Sequence, residues 1–290
     1  NRKSLSYRTL INHYAASIYA YGSDTLKQHK YALATLQLSK QSQFPDDVQM
    51  GCMTLAHSFF SAFEADTRKR VLLDSALYYY RKSAEIYQRN QDKILIQSNA
   101  SVTALNLANI YFKYFPKNFR DSANRYVNDA LRIARKTNTP EVIANCYGIM
   151  SEYAMRDGNY SQAENYLLTG IAELDRALPG VDITRSRMML GLANLAEQSG
   201  DKAKALNYYK RYTEYYKKVF DSQKLAAVQQ LEEQYQSEQR DLEIAGLRER
   251  ANLNRQINWL YVVVCSVSIL VLALLLGFYH YKLKASQQRI

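Results

Sequence analysis

Histidine and cysteine side chains are the groups best able to do chemistry, and in this chain of 290 residues they are scattered. They comprise four histidines and three cysteines: His13, His29, His57, His280, Cys52, Cys146 and Cys265. No two histidines have metal-ligand spacing, and no HExxH, GxSxG, Walker or GxGxxG pattern occurs. Zinc sites and nucleophilic centres need converging groups of this kind. The sequence therefore predicts a protein that is not an enzyme and that uses no metal or cofactor.

Charge and composition narrow the class of protein further. The formal net charge is +11, from 38 Lys and Arg against 27 Asp and Glu, but the longest basic run is Arg68-Lys69-Arg70. This distribution predicts a solvated basic surface and no direct binding of nucleic acid. The chain is 47% hydrophobic and has only 10 Gly and 4 Pro, with the prolines between helical segments. An all-α fold is predicted.

Two patterns recur along the chain at intervals of about 40 to 47 residues, which is typical of stacked repeats. The first is Ala-x3-large-x2-small, and its leading alanines are Ala32, Ala76, Ala123, Ala163 and Ala205. The second places a small residue after a hydrophobic or small one, at Ala16, Ala56, Ala108, Ser151 and Ala193. Small residues on one helix face let a partner helix approach closely. Each repeat is therefore predicted to be a pair of helices.

These patterns resemble the tetratricopeptide repeat (TPR) family. The resemblance is clearest over 150–170 and 192–212, where Gly158 and Gly200 supply the turn between two helices. It covers roughly residues 5–220, with a period longer than the 34 residues of that family. It implies a TPR-like α-solenoid of about five repeats over 1–220 that binds a protein or peptide on its concave face.

The resemblance also implies which residues line that face. The position after the small residue of each first helix is occupied by His57, Asn109, Glu152 and Asn194, with Lys113, Arg156, Arg187 and Glu197 nearby. In the family, asparagine at this position hydrogen-bonds the backbone of a ligand peptide. A chaperone-tail clamp is disfavoured, because hydrophobic residues and Gly148 stand four residues before these positions. A solvated or intramolecular role for each residue stays open.

A helical stalk is predicted over 221–256, where glycine and proline nearly vanish. An imperfect heptad seam places Val228, Tyr235 and Leu242 at one core position, with Glu238 interrupting the other. The seam predicts a possible homodimer through the stalk. A single amphipathic helix that folds back on the last repeat is the alternative.

A transmembrane helix is predicted over 257–281, followed by a short basic tail over 282–290. From Trp259 to Tyr279 there are 21 consecutive residues without a charge, enough to cross about 30 Å of hydrocarbon. Basic residues flank this stretch on both sides, so the positive-inside rule does not decide its orientation.

The order of these regions resembles that of bacterial membrane-bound TPR sensor proteins, in which a cytoplasmic histidine kinase or helix-turn-helix output follows the span. The resemblance implies a single-pass protein of the bacterial inner membrane with a periplasmic TPR region, although the output is absent from this sequence. We therefore expect the sensing region of a signal-transduction regulator. The alternatives are a tail-anchored cytosolic adaptor or scaffold, and the sensor part of a longer histidine kinase.

Overall fold

The computed structural model describes residues 2–22, 24–176 and 182–287, without the side chains of 221–236, 238–239, 242 and 267–287. Over these residues the chain is all-α, as predicted, with ten α-helices and a 3₁₀ turn at Lys117–Phe119. The helices are α1 (Arg2–Tyr21), α2 (Thr25–Ser42), α3 (Pro45–Ala65), α4 (Arg70–Arg89), α5 (Ser98–Tyr114), α6 (Arg120–Lys136), α7 (Pro140–Arg156), α8 (Tyr160–Asp175), α9 (Asp182–Gln198) and α10 (Lys202–Gln287).

The helices pair in chain order into antiparallel hairpins. The closest pairs are α1 with α2, α3 with α4, α5 with α6 and α7 with α8, and the start of α10 packs on α9 through Ala205 and Tyr208. Each first helix also contacts the first helix of the next hairpin, from α1 through α3, α5 and α7 to α9. The odd-numbered helices therefore form one layer of a solenoid-like array.

The recurring small residues are the contact points of this array. The leading alanines of the second helices are at most 5% exposed, and the small residues of the first helices at most 2%. In the fourth hairpin the Ser151 hydroxyl donates to the carbonyl of Ala163 at 2.9 Å, which places the two small residues face to face. The repeat predicted from the sequence is thus a repeat of close helix contacts.

The small residue that ends the second-helix pattern makes the contact to the following hairpin. A methyl group on Gly51 of α3 would stand 2.5 Å from the Ser39 hydroxyl and 3.1 Å from the Leu36 Cα on α2. In the next hairpin the Ser83 hydroxyl lies 3.2 Å from the Gln49 carbonyl and 3.2 Å from the Thr103 hydroxyl. The same position therefore sets the spacing between successive hairpins.

Turn residues end the helices where the sequence predicts. Gly158 and Gly200 have φ values of +77° and +84°, which favour glycine because other residues are strained there. Asn159 then caps α8 by accepting a hydrogen bond from the Gln162 amide at 3.2 Å. Both glycine turns are confirmed.

The chain forms two compact units, Asn1–Val219 and Phe220–Ile290. The first contains the hairpins and the start of α10. In the second, the chain is helical to Gln287. The side chains that decide the predicted heptad seam, such as Val228 and Tyr235, lie outside the described residues.

No helix within the described residues is both long and apolar enough to cross a membrane. This corrects the prediction of a transmembrane helix at 257–281, and with it the membrane-anchored, periplasmic assignment. The physical reason is length: the described side chains of the uncharged stretch run from Trp259 to Ser266, and eight helical residues rise only about 12 Å against roughly 30 Å of hydrocarbon. The side chains of 267–281 in that prediction, and of the basic tail 282–290, lie outside the described residues.

Candidate functional site

A polar groove runs along the layer of first helices. Its larger part encloses about 590 Å³ between α3, α5, α7 and α9, and a second part of about 460 Å³ continues it to α1. The two parts share His57, Glu64 and Asn106. Because side chains three, four and seven residues apart lie on one helix face, each first helix contributes one row of groove residues.

Five of the eight predicted site residues line this groove: His57, Asn109, Lys113, Glu152 and Arg187. They come from α3, α5, α7 and α9, so the fold brings together residues up to 130 positions apart in the chain. The alignment on the small residue therefore locates the groove face of the middle hairpins.

The other three predicted residues lie elsewhere. Arg156 stacks its guanidinium 3.7 Å from the centre of the Phe112 ring and donates to the Phe112 carbonyl at 3.3 Å. The Tyr209 hydroxyl lies 3.0 Å from Asn194 Oδ1 and 3.2 Å from Glu197 Oε2. Arg156, Asn194 and Glu197 are thus engaged within or between hairpins.

The groove has further polar residues that the sequence analysis did not select: Glu64, Asn106, Asn145 and Thr184. Their signal was helical spacing from residues that were selected. Asn106 stands three residues before Asn109, and Asn145 seven before Glu152. Extending each selected position by one and two turns would have found them.

His57 stands where the two parts of the groove meet. The hydroxyl of Tyr80, which is fully buried, lies 3.4 Å from His57 Nδ1. Burial and the nearby Glu64 raise the pKa of Tyr80, so this hydroxyl keeps its proton. Burial lowers the pKa of His57 and keeps the imidazole neutral at pH 7. Nδ1 therefore accepts from Tyr80, and Nε2 carries the proton.

His13 adopts the opposite tautomer. Its Nδ1 lies 2.7 Å from the Thr54 hydroxyl, whose single proton is donated to the Met50 carbonyl at 2.7 Å. Nδ1 of His13 must then be the donor, which leaves Nε2 as an acceptor. Burial, and then the charge of His57, lower the pKa of His13. The α1 end of the groove therefore has two neutral imidazoles, His13 and His57.

Charged residues concentrate at the other end. Burial raises the pKa of the Glu152 carboxyl, an effect that Lys113 and Arg156 oppose. Lys113 and Arg187 line the same groove, and neither is in an ion pair within the part of the chain that the structure describes. The α5 to α9 end therefore offers cations of both kinds beside one carboxylate.

The described residues offer little basis for redox or metal chemistry. Burial raises the pKa of Cys52 to about 11 and that of Cys146 to about 12, so both remain thiols at neutral pH. Among the described residues, no group of three or more His, Cys, Asp and Glu side chains could hold a metal ion. What the groove presents instead is a set of hydrogen-bond donors and acceptors with mixed charge.

Comparison with known proteins bears on the fold alone. Neither a protein-family model nor a curated protein matches the chain. Among solved structures, the chain is similar to BtubC (BKLC) from P. vanneervenii, with 16% sequence identity and a TM-score of 0.49. That similarity covers 76% of this chain and 92% of the other.

Proposed function

We propose that the first unit is a TPR-type module that binds a protein or peptide along the groove of its first helices. The observation that carries the proposal is the row of amide side chains Asn106, Asn109 and Asn145 on two successive first helices. Each amide offers both donors and acceptors, which matches the alternating N–H and C=O groups of an extended peptide.

The charges around the amides extend this match to peptide side chains. Lys113 and Arg187 can hydrogen-bond carboxylates, whereas Glu152 can accept from a cation. Because both signs occur within one groove, we expect a ligand with acidic and basic residues in alternation. A ligand recognised by one terminal carboxylate fits this arrangement less well.

The proposal is tested by selecting ligands from a displayed library of random 12-residue peptides. Enriched peptides are synthesised with a fluorophore, and their affinities for wild-type protein and for Asn106→Ala and Asn109→Ala are measured by anisotropy. Loss of one hydrogen bond is worth about 1 to 1.5 kcal/mol, so each variant should bind about tenfold more weakly.

Asn165→Ala is the matched control, since Asn165 is an exposed asparagine on α8, outside the groove. It should bind as wild type does. The proposal fails if no peptide is enriched, or if the enriched peptides bind both groove variants with unchanged affinity.

A sensing role in signal transduction and a role as an adaptor both rest on such binding. They differ in what the bound module acts on. A histidine kinase or helix-turn-helix region in the same reading frame would favour the sensing role, and a partner that joins this module to a second protein would favour the adaptor.

A further inference from the structure

The first helix carries an apolar stripe with no covering element in the structure. Five large side chains follow one another at intervals of four, three, four and three residues: Tyr7, Ile11, Tyr14, Ile18 and Tyr21. Their exposed fractions lie between 59% and 84%. We call this set the α1 stripe.

The α1 stripe points away from the hydrophobic core of its own hairpin. The buried residues of α1 are Thr9 and Ala16, and at about 100° per residue they lie on the opposite side of the helix from Ile11 and Ile18. The contacts of α1 with α2 and α3 therefore use other faces. A narrow stripe with this spacing is the seam of a two-helix coiled coil rather than the broader face of a core helix.

The stripe reads the same in both chain directions, as Tyr-Ile-Tyr-Ile-Tyr. In an antiparallel pair of identical helices centred on Tyr14, Tyr7 of one copy meets Tyr21 of the other, and Ile11 meets Ile18. Such self-complementarity is what a twofold interface requires, because both copies use the same patch.

The charges of α1 favour the antiparallel arrangement over the parallel one. The charged residues of the helix are Arg2, Lys3 and Arg8, all near its start and all basic. Parallel pairing would place these cations of both copies side by side. Antiparallel pairing places Arg2 and Lys3 of one copy near Asp24 of the other, so opposite charges meet.

The area is sufficient for a small stable interface. Three tyrosines that can each bury about 200 Å², together with two isoleucines, offer on the order of 600 Å² per copy. Two copies would then bury about 1,200 Å² in total, which is the lower end of the range for specific interfaces. Large apolar patches of this kind on a protein surface mark interaction sites.

We propose that the chain forms a homodimer in which the α1 stripes of two copies pack antiparallel. The interface is separate from the groove residues Asn109 and Glu152, and the inference does not depend on what the groove binds.

The first test is sedimentation equilibrium of the full chain in a Cys265→Ser background, because Cys265 is an exposed cysteine. Ile11→Lys and Ile18→Lys should each raise the dimer dissociation constant at least tenfold. Val71→Lys is the matched control: Val71 is 74% exposed on α4, outside the stripe, and its variant should dimerise as wild type does. Circular dichroism checks that each variant is folded.

The second test measures the direction of packing by cysteine crosslinking. Tyr14→Cys should form a disulfide between copies, and a mixture of Tyr7→Cys and Tyr21→Cys should form the mixed disulfide. Neither Tyr7→Cys nor Tyr21→Cys alone should crosslink efficiently. The inference is overturned if the wild type stays monomeric at 100 µM, assuming roughly micromolar affinity for this area, if the lysine variants dimerise unchanged, or if Tyr7→Cys crosslinks to itself.

Discussion

Two groove residues, His13 and His57, are held neutral by the protein around them. The pKa of each imidazole lies below its ordinary value of 6.5, with burial as the main cause. Between the folded pKa and about 6.5 the unfolded chain binds more protons than the folded chain. Folded stability that is complete above pH 6.5 must therefore decline as the pH falls below that value.

We expect the double variant His13→Gln/His57→Gln to lose less stability on acidification than the wild type does. The measurement is the urea midpoint of both proteins at pH 7.5 and at pH 5.0. Each single variant should lie between the two. Equal losses for wild type and double variant would show that neither imidazole is responsible.

Gln49 is a second residue whose environment makes a prediction. It is fully buried on α3, and both polar atoms of its side-chain amide lack a hydrogen-bond partner in the structure. Gln49→Met keeps the length of the side chain and removes the desolvation penalty. The free energy of unfolding should rise by about 1 kcal/mol.

Gln28→Met is the matched control for this change. Gln28 is 1% exposed, but its amide nitrogen donates to the Ser61 hydroxyl at 3.1 Å. The same substitution there should lower the free energy of unfolding by about 1 kcal/mol. If urea denaturation gives changes of the same sign at both positions, the hydrogen-bond status of Gln49 does not govern its stability.

At the residue scale, the sequence located side chains by position and missed their competing partners. His57, Asn109 and Glu152 lie in the groove, as their place after a small residue predicted. Asn194 occupies the equivalent place, but the Tyr209 hydroxyl binds it. Such pairing depends on which tyrosine of Tyr208-Tyr209 turns inward, and the pattern of residue types does not encode this.

At the scale of helices, contact distances between backbones decide which small residues are required. Gly51 of α3 lies against Ser39 and Leu36 of α2, whereas nothing lies within 4 Å of a methyl group placed on Gly148 of α7. Both glycines are inside helices, where alanine is intrinsically favoured by roughly 0.5 to 1 kcal/mol. The two positions therefore separate packing from helix propensity.

We expect Gly51→Ala to lower the free energy of unfolding by about 1 to 3 kcal/mol, because α3 must move away from α2. Gly148→Ala should raise it by up to about 1 kcal/mol. Urea denaturation of the two variants beside wild type measures both. A gain in stability for Gly51→Ala would show that the two helices have room to separate at no cost.

The helices themselves were predictable because local signals mark them. Gly158 and Gly200 mark turns, and Pro45 and Pro140 each stand at the first position of a helix, where a missing amide hydrogen costs nothing. The transmembrane prediction over 257–281 used composition alone and was wrong, since no described helix has the required length and apolar character. Hydropathy counts residues, whereas a span also requires a sufficiently long run of them in one helix.

At the scale of the whole array, stability should be distributed from hairpin to hairpin. The contacts between the described hairpins of the first unit join each helix to those one or two places away in the chain. Repeat arrays of this kind behave as a linear chain of units coupled to their nearest neighbours. A local weakening should therefore be felt first by the units beside it.

Gly51→Ala tests this, since it weakens the contact between the first and second hairpins. Losing about 1 to 3 kcal/mol of coupling should speed amide exchange in α1 and α2 by about tenfold or more, because each 1.4 kcal/mol is a factor of ten. Exchange in α7 and α8, two hairpins away from the altered contact, should stay near wild type. Hydrogen exchange followed by mass spectrometry resolves these segments in one experiment. A uniform acceleration across α1 to α8 would mean instead that the unit opens all at once, and its hairpins would then have to be treated as a single cooperative block.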